Sequence, residues 1–240
     1  IGTLTVSFAN VEAYQSFDPE DPFASRQITH NLNRIWSDEW LGGDTDSEEL
    51  RRARAMRPAV ALADHILDIH STSLDVEPFW VYPDFARNAQ VASALPRPAV
   101  HLVMPSGLGS GTPLIQHGRH SRADGPGAAL VVECGQHFKQ SSADLAVAVA
   151  YDFLGHFGLV DRAPPSSASP APRRFELLRT HVIATPDFAF TRPVIGFETF
   201  AQGELIATDG TLEIRAPCDD CTIFMPAREA IVGREGVYLT

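Results

Sequence analysis

The chain has 240 residues, with 19 basic side chains against 30 acidic ones, a formal net charge of −11, and 44% hydrophobic and 20% charged residues. That length supports one large domain, or one with a small companion, around a sizeable core. The acidic balance argues against nucleic acid as a main partner, and no apolar run reaches the roughly 18–20 residues that span a membrane. In chain order, residues 2–10 read as a strand (Leu4-Thr5-Val6-Ser7-Phe8) running into a loop, and residues 11–37, with Pro19 and Pro22, read as mostly loop. Ser47-Glu48-Glu49-Leu50 opens a helix whose acidic first turn suits the dipole, predicted to reach about Ala63 with an interruption near Pro58. Strands are predicted at 65–70, 99–104 and 128–133, the last two separated by a long Gly-rich connection at 105–127. Ser141-Ser142-Ala143-Asp144 is read as the cap of a helix with apolar residues at 145, 147, 149, 153, 154 and 157. Residues 161–174 form a Pro/Ser/Ala-rich linker, and 175–240 read as a small all-β domain of short runs broken by Gly203, Asp209-Gly210, Pro217 and Gly233.

Three cysteines exclude a full disulfide framework, so a reducing compartment and a cytoplasmic location are expected, with no signal-peptide pattern. Cys218-Asp219-Asp220-Cys221 lacks the second pair of a zinc knuckle and reads as a turn; Cys134 reads as a small packed residue. Lys139 is the sole lysine. The arginine bias suits carboxylate binding, though a GC-rich coding sequence is the blander and preferred account.

Three polar motifs sit at or just after apolar runs: Asn31-Leu32-Asn33-Arg34, Asp68-Ile69-His70-Ser71-Thr72 and Glu133-Cys134-Gly135-Gln136-His137. Polar groups at the carboxyl ends of α/β strands face the crevice where ligands bind. His70 reads as a metal ligand oriented by Asp68, two residues away on the same strand face, or as a satisfied strand-end histidine. His65, five residues earlier, faces the other way. Glu133, after five apolar residues, reads as a general base with a tuned pKa, or as half of a buried ion pair. Asn33-Arg34 suits a substrate carboxylate, and a solvated arginine is the bland alternative. His117, Arg119, His120 and Arg122 make loop 105–127 a candidate lid for an anionic substrate, or a solvated loop with incidental basic residues.

Taken together, these motifs resemble the succinylglutamate desuccinylase/aspartoacylase family, within the zinc carboxypeptidase-like fold. Phe8-Ala9-Asn10 followed by Ala13 looks like the strand entering the family's "N-P-x-A", with Val11 in place of proline. Asn31-Leu32-Asn33-Arg34 resembles "D-L-N-R", with Asn in place of Asp; Asp68-Ile69-His70-Ser71-Thr72 resembles "D-L-H-x-T"; Glu133-Cys134-Gly135 resembles "E-x-G". The resemblance implies an α/β fold with a mixed sheet flanked by helices over residues 1–160, with part of that domain upstream of Ile1, and a small β-domain over 175–240. A lipoyl-carrier reading of that β-domain fails, since 175–240 contain no lysine.

By the same resemblance, the activity is zinc-dependent hydrolysis of a small anionic N-acyl amino acid. Glu133 is the base, Arg26 polarises the scissile carbonyl, Asn33 and Arg34 hold the substrate carboxylate, and Arg122 is a second arginine for its acidic end. His70 is the third Zn2+ ligand. The other two come from an "H-G-x-E" motif that is absent here and is expected upstream of Ile1. A carboxypeptidase-like peptide hydrolase and a non-catalytic relative binding an acidic small molecule are the alternatives, and the sequence leaves open whether the chain forms a homo-oligomer.

Overall fold

A computed structural model of the chain describes residues 2–105, 107–161 and 171–240. Residues 4–8, predicted as a strand, instead run as exposed chain, with Leu4, Val6 and Phe8 at 55%, 77% and 81% exposure. A strand needs a ladder partner, and no described strand lies alongside; the contact is from Arg52, which donates to the carbonyls of Ala9 (2.9 Å) and Phe8. Two short helices follow, α1 (Val11–Gln15) and α2 (Asp38–Gly42), separated mostly by loop, as expected.

Helix α3 (Glu48–Leu62) begins where the sequence places it, with Ser47 Oγ accepting from the Leu50 N–H at 3.2 Å. It continues through Pro58 without the predicted interruption. Proline removes one backbone hydrogen bond, but Leu50, Ala53 and Val60 on either side pack into one buried cluster with Trp36 and Leu41, and that packing carries the helix across.

The main sheet follows: β1 (Ile66–Thr72), β2 (Phe79–Pro83), helix α4 (Ala86–Ala94), β3 (Val100–Met104), β4 (Ala129–Gln136), helix α5 (Gln140–His156) and β5 (Arg173–Glu176). Its order is β1-β4-β2-β3-β5, antiparallel between β4 and β2 and parallel elsewhere. Neither β2 nor α4 is anticipated by the sequence reading, although all five residues of β2 are buried. Helix α5 is not capped by its serines: Ser142 Oγ instead donates to the Gln136 carbonyl at 2.8 Å, tying the helix to the end of β4. Most of the expected linker at 161–174 lies outside the described residues, while Arg173–Glu176 adds an edge strand beside β3.

Successive strand residues face opposite sides of a sheet, which splits the core in two. Trp80, Tyr82, Val103, Leu130 and Val132 pack with Val149 and Phe153 of α5. Phe79, Val81, Leu102, Met104 and Val131 pack instead against Leu177, Phe224 and Tyr238. That second face receives the C-terminal unit, built from β6 (Arg179–Val182), β7 (Ala189–Phe190), β8 (Thr199–Phe200), β9 (Leu205–Asp209), β10 (Leu212–Arg215), β11 (Cys221–Phe224) and β12 (Glu235–Leu239). These make a three-stranded sheet, β10-β9-β7, and a four-stranded sheet, β6-β12-β11-β8. Asp209-Gly210 turns β9 into β10, with Gly210 at φ +60°, the left-handed region that favours glycine. No helix of the described residues is long and apolar enough to cross a membrane.

Candidate active site

Parallel pairing of β1 with β4 sets His70 directly beside Glu133. The imidazole Nδ1 lies 3.8 Å from the Glu133 carboxylate, and its Nε2 lies 2.9 Å from the carboxylate of Asp68, on the same strand face as expected. Strand β4 runs past Glu133 to Gln136, so this carboxyl lies inside the sheet, opposite Phe79 of β2 and only 3% exposed. Burial pushes its pKa up to about 7, against the pull of the positive charges of His70 and Arg26. Burial also disfavours a charged His70, but the Asp68 carboxylate overcomes that and raises its pKa. One carboxylate oxygen of Glu133, Oε2, is buried with no hydrogen-bond partner among the described residues.

The ladder register slips between His70 and Thr72, and the cleft is lined there by Ser71, whose hydroxyl meets His137 Nδ1 at 2.8 Å. Gly135, two residues past Glu133, has φ +100°, and a Cβ there would approach Ser142 Oγ to 3.1 Å.

Asn31 caps the turn Leu32–Arg34 by accepting from the Asn33 N–H at 3.0 Å. The segment leading into it is organised from α3. Glu49, fully buried, accepts from the backbone N–H groups of Ile28 (2.6 Å), Thr29 (3.2 Å) and His30 (3.2 Å) and from the Asn10 amide (3.3 Å). Those donors hold its pKa below the usual range despite the burial. Glu49→Ala strands these N–H groups and is expected to lower the free energy of unfolding by about 3 kcal/mol. Urea denaturation checks this, and an unchanged midpoint would show that the segment holds its own shape.

Asn33 and Arg34 reach the site already engaged. Asn33 Oδ1 accepts from the Leu114 N–H at 2.8 Å. Arg34 donates from Nε to Glu235 of β12 (2.5 Å) and to Ser110 (3.1 Å), and from Nη2 to the Tyr238 hydroxyl (3.2 Å), while Ser110 also donates to Glu235. The sequence reading found Arg34 but none of these partners. A cleft of about 640 Å³ opens between this cluster and the β-domain, with Arg26, Arg34, Arg228 and Arg234 on its walls.

Arg122 is not brought to it. It is exposed and pairs with Asp124 (3.0 and 2.8 Å), because Arg87 of α4 clamps the carbonyls of His120, Arg122, Ala123 and Gly127 and pins that segment. The candidate lid is likewise structural. His117 and His120 are buried, His117 Nδ1 meets the Trp36 carbonyl at 2.8 Å, and Arg119 caps the carbonyls of Leu62 and Ala63 at the end of α3. His65 is occupied elsewhere, stacking on Phe157 with its ring centroid 3.7 Å away. Burial raises the Cys134 thiol to about 12, which suits a packed residue and not a nucleophile.

No protein-family model and no curated protein sequence matches the chain. Solved structures do match in fold. A succinylglutamate desuccinylase from Vibrio cholerae aligns with TM-score 0.68 at 20% identity, over 89% of this chain and 65% of that one. The fold is that of the desuccinylase/aspartoacylase proteins. A succinylglutamate desuccinylase/aspartoacylase from Rhodobacter sphaeroides aligns with TM-score 0.61 at 17% identity, over 96% of this chain and 72% of the other. The product-bound ectoine utilization protein EutE (DoeB) from Ruegeria pomeroyi gives 0.62 at 16%, over 97% and 72%. The chain thus has the mixed sheet, flanking helices and added antiparallel sheets of this fold, and spans less than two thirds of the Vibrio protein.

The desuccinylase/aspartoacylase fold carries the expectation of zinc, and a catalytic zinc takes three protein ligands. The described residues contain no group of three or more His, Cys, Asp or Glu able to hold a metal. His70 has its Nε2 on Asp68, and the neighbouring imidazole, His137, has its Nδ1 on the Ser71 hydroxyl. By themselves these residues do not make a zinc site.

Proposed function

We propose that the protein hydrolyses the amide bond of a small anionic N-acyl amino acid. The observation that carries this is Glu133: a buried carboxyl tuned to about 7, with one oxygen unpartnered, beside a cleft whose walls are rich in guanidinium groups. A base poised near neutral pH suits proton transfer from an attacking water. Glu133 accepts that proton and delivers it to the leaving amine. Arg26 faces the same cleft, within electrostatic reach of Glu133, and stabilises the oxyanion of the tetrahedral intermediate. Asn33 and Arg34 orient the substrate carboxylate, Arg34 sharing its donors with Glu235. His70 is the one zinc ligand assigned to this chain.

The test is amine release from N-acetyl and N-succinyl amino acids and from dipeptides, with Zn2+ present. Release from the acyl amino acids alone is the expected result. Release from dipeptides alone would favour a peptidase. Binding of acyl amino acids without release would favour the second reading, a non-catalytic anion-binding protein.

A further inference from the structure

The connection between β10 and β11 carries a motif that the cleft chemistry leaves unused, Cys218-Asp219-Asp220-Cys221. It is anchored on the segment that precedes β9. Ala216 donates to the Glu204 carbonyl (3.0 Å) and accepts from the Gly203 N–H (2.9 Å), and Asp219 Oδ1 accepts from the Gln202 N–H (3.2 Å). Asp220, at φ +54°, takes the left-handed conformation that aspartate tolerates, just before β11 begins at Cys221.

The two side chains converge on the last residue of the chain. Cys218 Sγ donates to the Thr240 carbonyl at 3.7 Å, and the Cys221 thiol meets both the Thr240 backbone and the Cys218 side chain. Thr240 is itself fixed on Thr222, donating to that carbonyl from its N–H (3.1 Å) and its hydroxyl (2.8 Å). Both cysteines are free thiols; Cys221 is fully buried in the β-domain core, and Cys218 packs partly exposed against that core. The third cysteine, Cys134, is buried in a different cluster, between the main sheet and α5. Neither Cys218 nor Cys221 lines the cleft.

We propose that Cys218 and Cys221 are a redox modification site, which closes to a disulfide within the turn when the surroundings oxidise and reopens when they reduce. The C-x-x-C spacing tethers one thiol beside the other, and the anchored turn keeps them there. The oxidant is a small-molecule disulfide such as glutathione disulfide. Cys218, the accessible partner, attacks it as the thiolate and displaces one glutathione thiolate, leaving a mixed disulfide. Cys221 then gives up its proton, attacks Cys218 Sγ and displaces the second glutathione thiolate. Two electrons pass from the protein thiols to the oxidant, which leaves as two thiols. Burial pushes the Cys221 thiol up to about 11, which makes it a poor first attacker and leaves it the resolving role, where proximity compensates. The motif opens a strand and not a helix, so no helix dipole stabilises a thiolate there; this suits a switch within the protein rather than a catalyst of exchange in others.

The experiment equilibrates the whole chain in glutathione buffers of rising oxidised fraction, quenches with acid and alkylates the free thiols under denaturing conditions. Mass analysis then follows the tryptic peptide 216–228, which holds both cysteines. Most of that peptide is expected to be unalkylated and lighter by two hydrogen atoms in fully oxidised buffer, and to return to the alkylated form with dithiothreitol. Cys134 should alkylate at every ratio. Cys221→Ser should stop at a glutathione adduct on Cys218, and Cys218→Ser should leave Cys221 unmodified, as its burial requires. Two alkylated thiols at every ratio, a lasting glutathione adduct in wild type, or a disulfide to Cys134 or to a second copy overturns the assignment.

Discussion

Glu133→Gln is expected to cut turnover of an N-acyl amino acid by roughly 10²- to 10⁴-fold, the usual contribution of a positioned general base. Gln keeps the shape of the side chain and removes its ability to take a proton. The effect should fall on kcat, with KM little changed, because Glu133 is not among the residues that line the cleft. Stability should not fall either. Glu133 is buried with an unpartnered carboxylate oxygen, and replacing a costly buried carboxyl with a neutral amide relieves desolvation. A thermal midpoint at or above wild type, measured beside steady-state kinetics, separates loss of chemistry from loss of fold. A variant that turns over normally would remove Glu133 from the mechanism.

Arg34→Met should damage both stability and binding, and a double variant tells the two apart. The pair with Glu235 is mostly buried, at 16% and 15% side-chain exposure. Deleting one partner of a buried pair leaves the other charge uncompensated, at a cost of about 3–5 kcal/mol. Adding Glu235→Leu removes the stranded carboxylate and should restore most of the lost stability. Binding of the substrate carboxylate should not return, since the guanidinium is still missing; KM should stay raised roughly tenfold or more in both variants. Chemical denaturation and kinetics on the single and double variants decide it. Recovery of KM in the double variant would mean that Arg34 serves the fold alone.

Much of this site was legible because its chemistry sits on short elements with strong local signals. An apolar run that ends in a polar residue announced β1 and β4, and with them His70, Asp68 and Glu133. Ser47 with its two glutamates announced the start of α3. Local signals also misled: the alternation Leu4-Val6-Phe8 has strand character, but a strand is a relation between two segments, and no second segment is present among the described residues. Arg122 and the histidines of the candidate lid looked available because sequence gives composition without contacts; Asp124, Trp36 and the end of α3 occupy them or their neighbours. The misses share a cause. Glu235, Tyr238 and Ser110 enter the site through Arg34, and no spacing rule links positions so far apart. Glu49 was read as a helix-start acid, and its second task of gathering the N–H groups of Ile28, Thr29 and His30 shows only in three dimensions.

The Arg34–Glu235 contact joins residues 201 positions apart in the chain. Closing so long a loop is slow compared with forming a helix or pairing neighbouring strands. During folding, the main sheet and the β-domain can each gain most of their own contacts before this pair meets. In local unfolding the sequence runs backwards: separating the β-domain from the sheet face strips Arg34 of Glu235 and Tyr238 while β1 and β4 stay paired. The β-domain wall of the cleft is therefore expected to exchange its amide hydrogens faster than the β1–β4 pairing, so that His70 and Glu133 outlast the walls that make them selective.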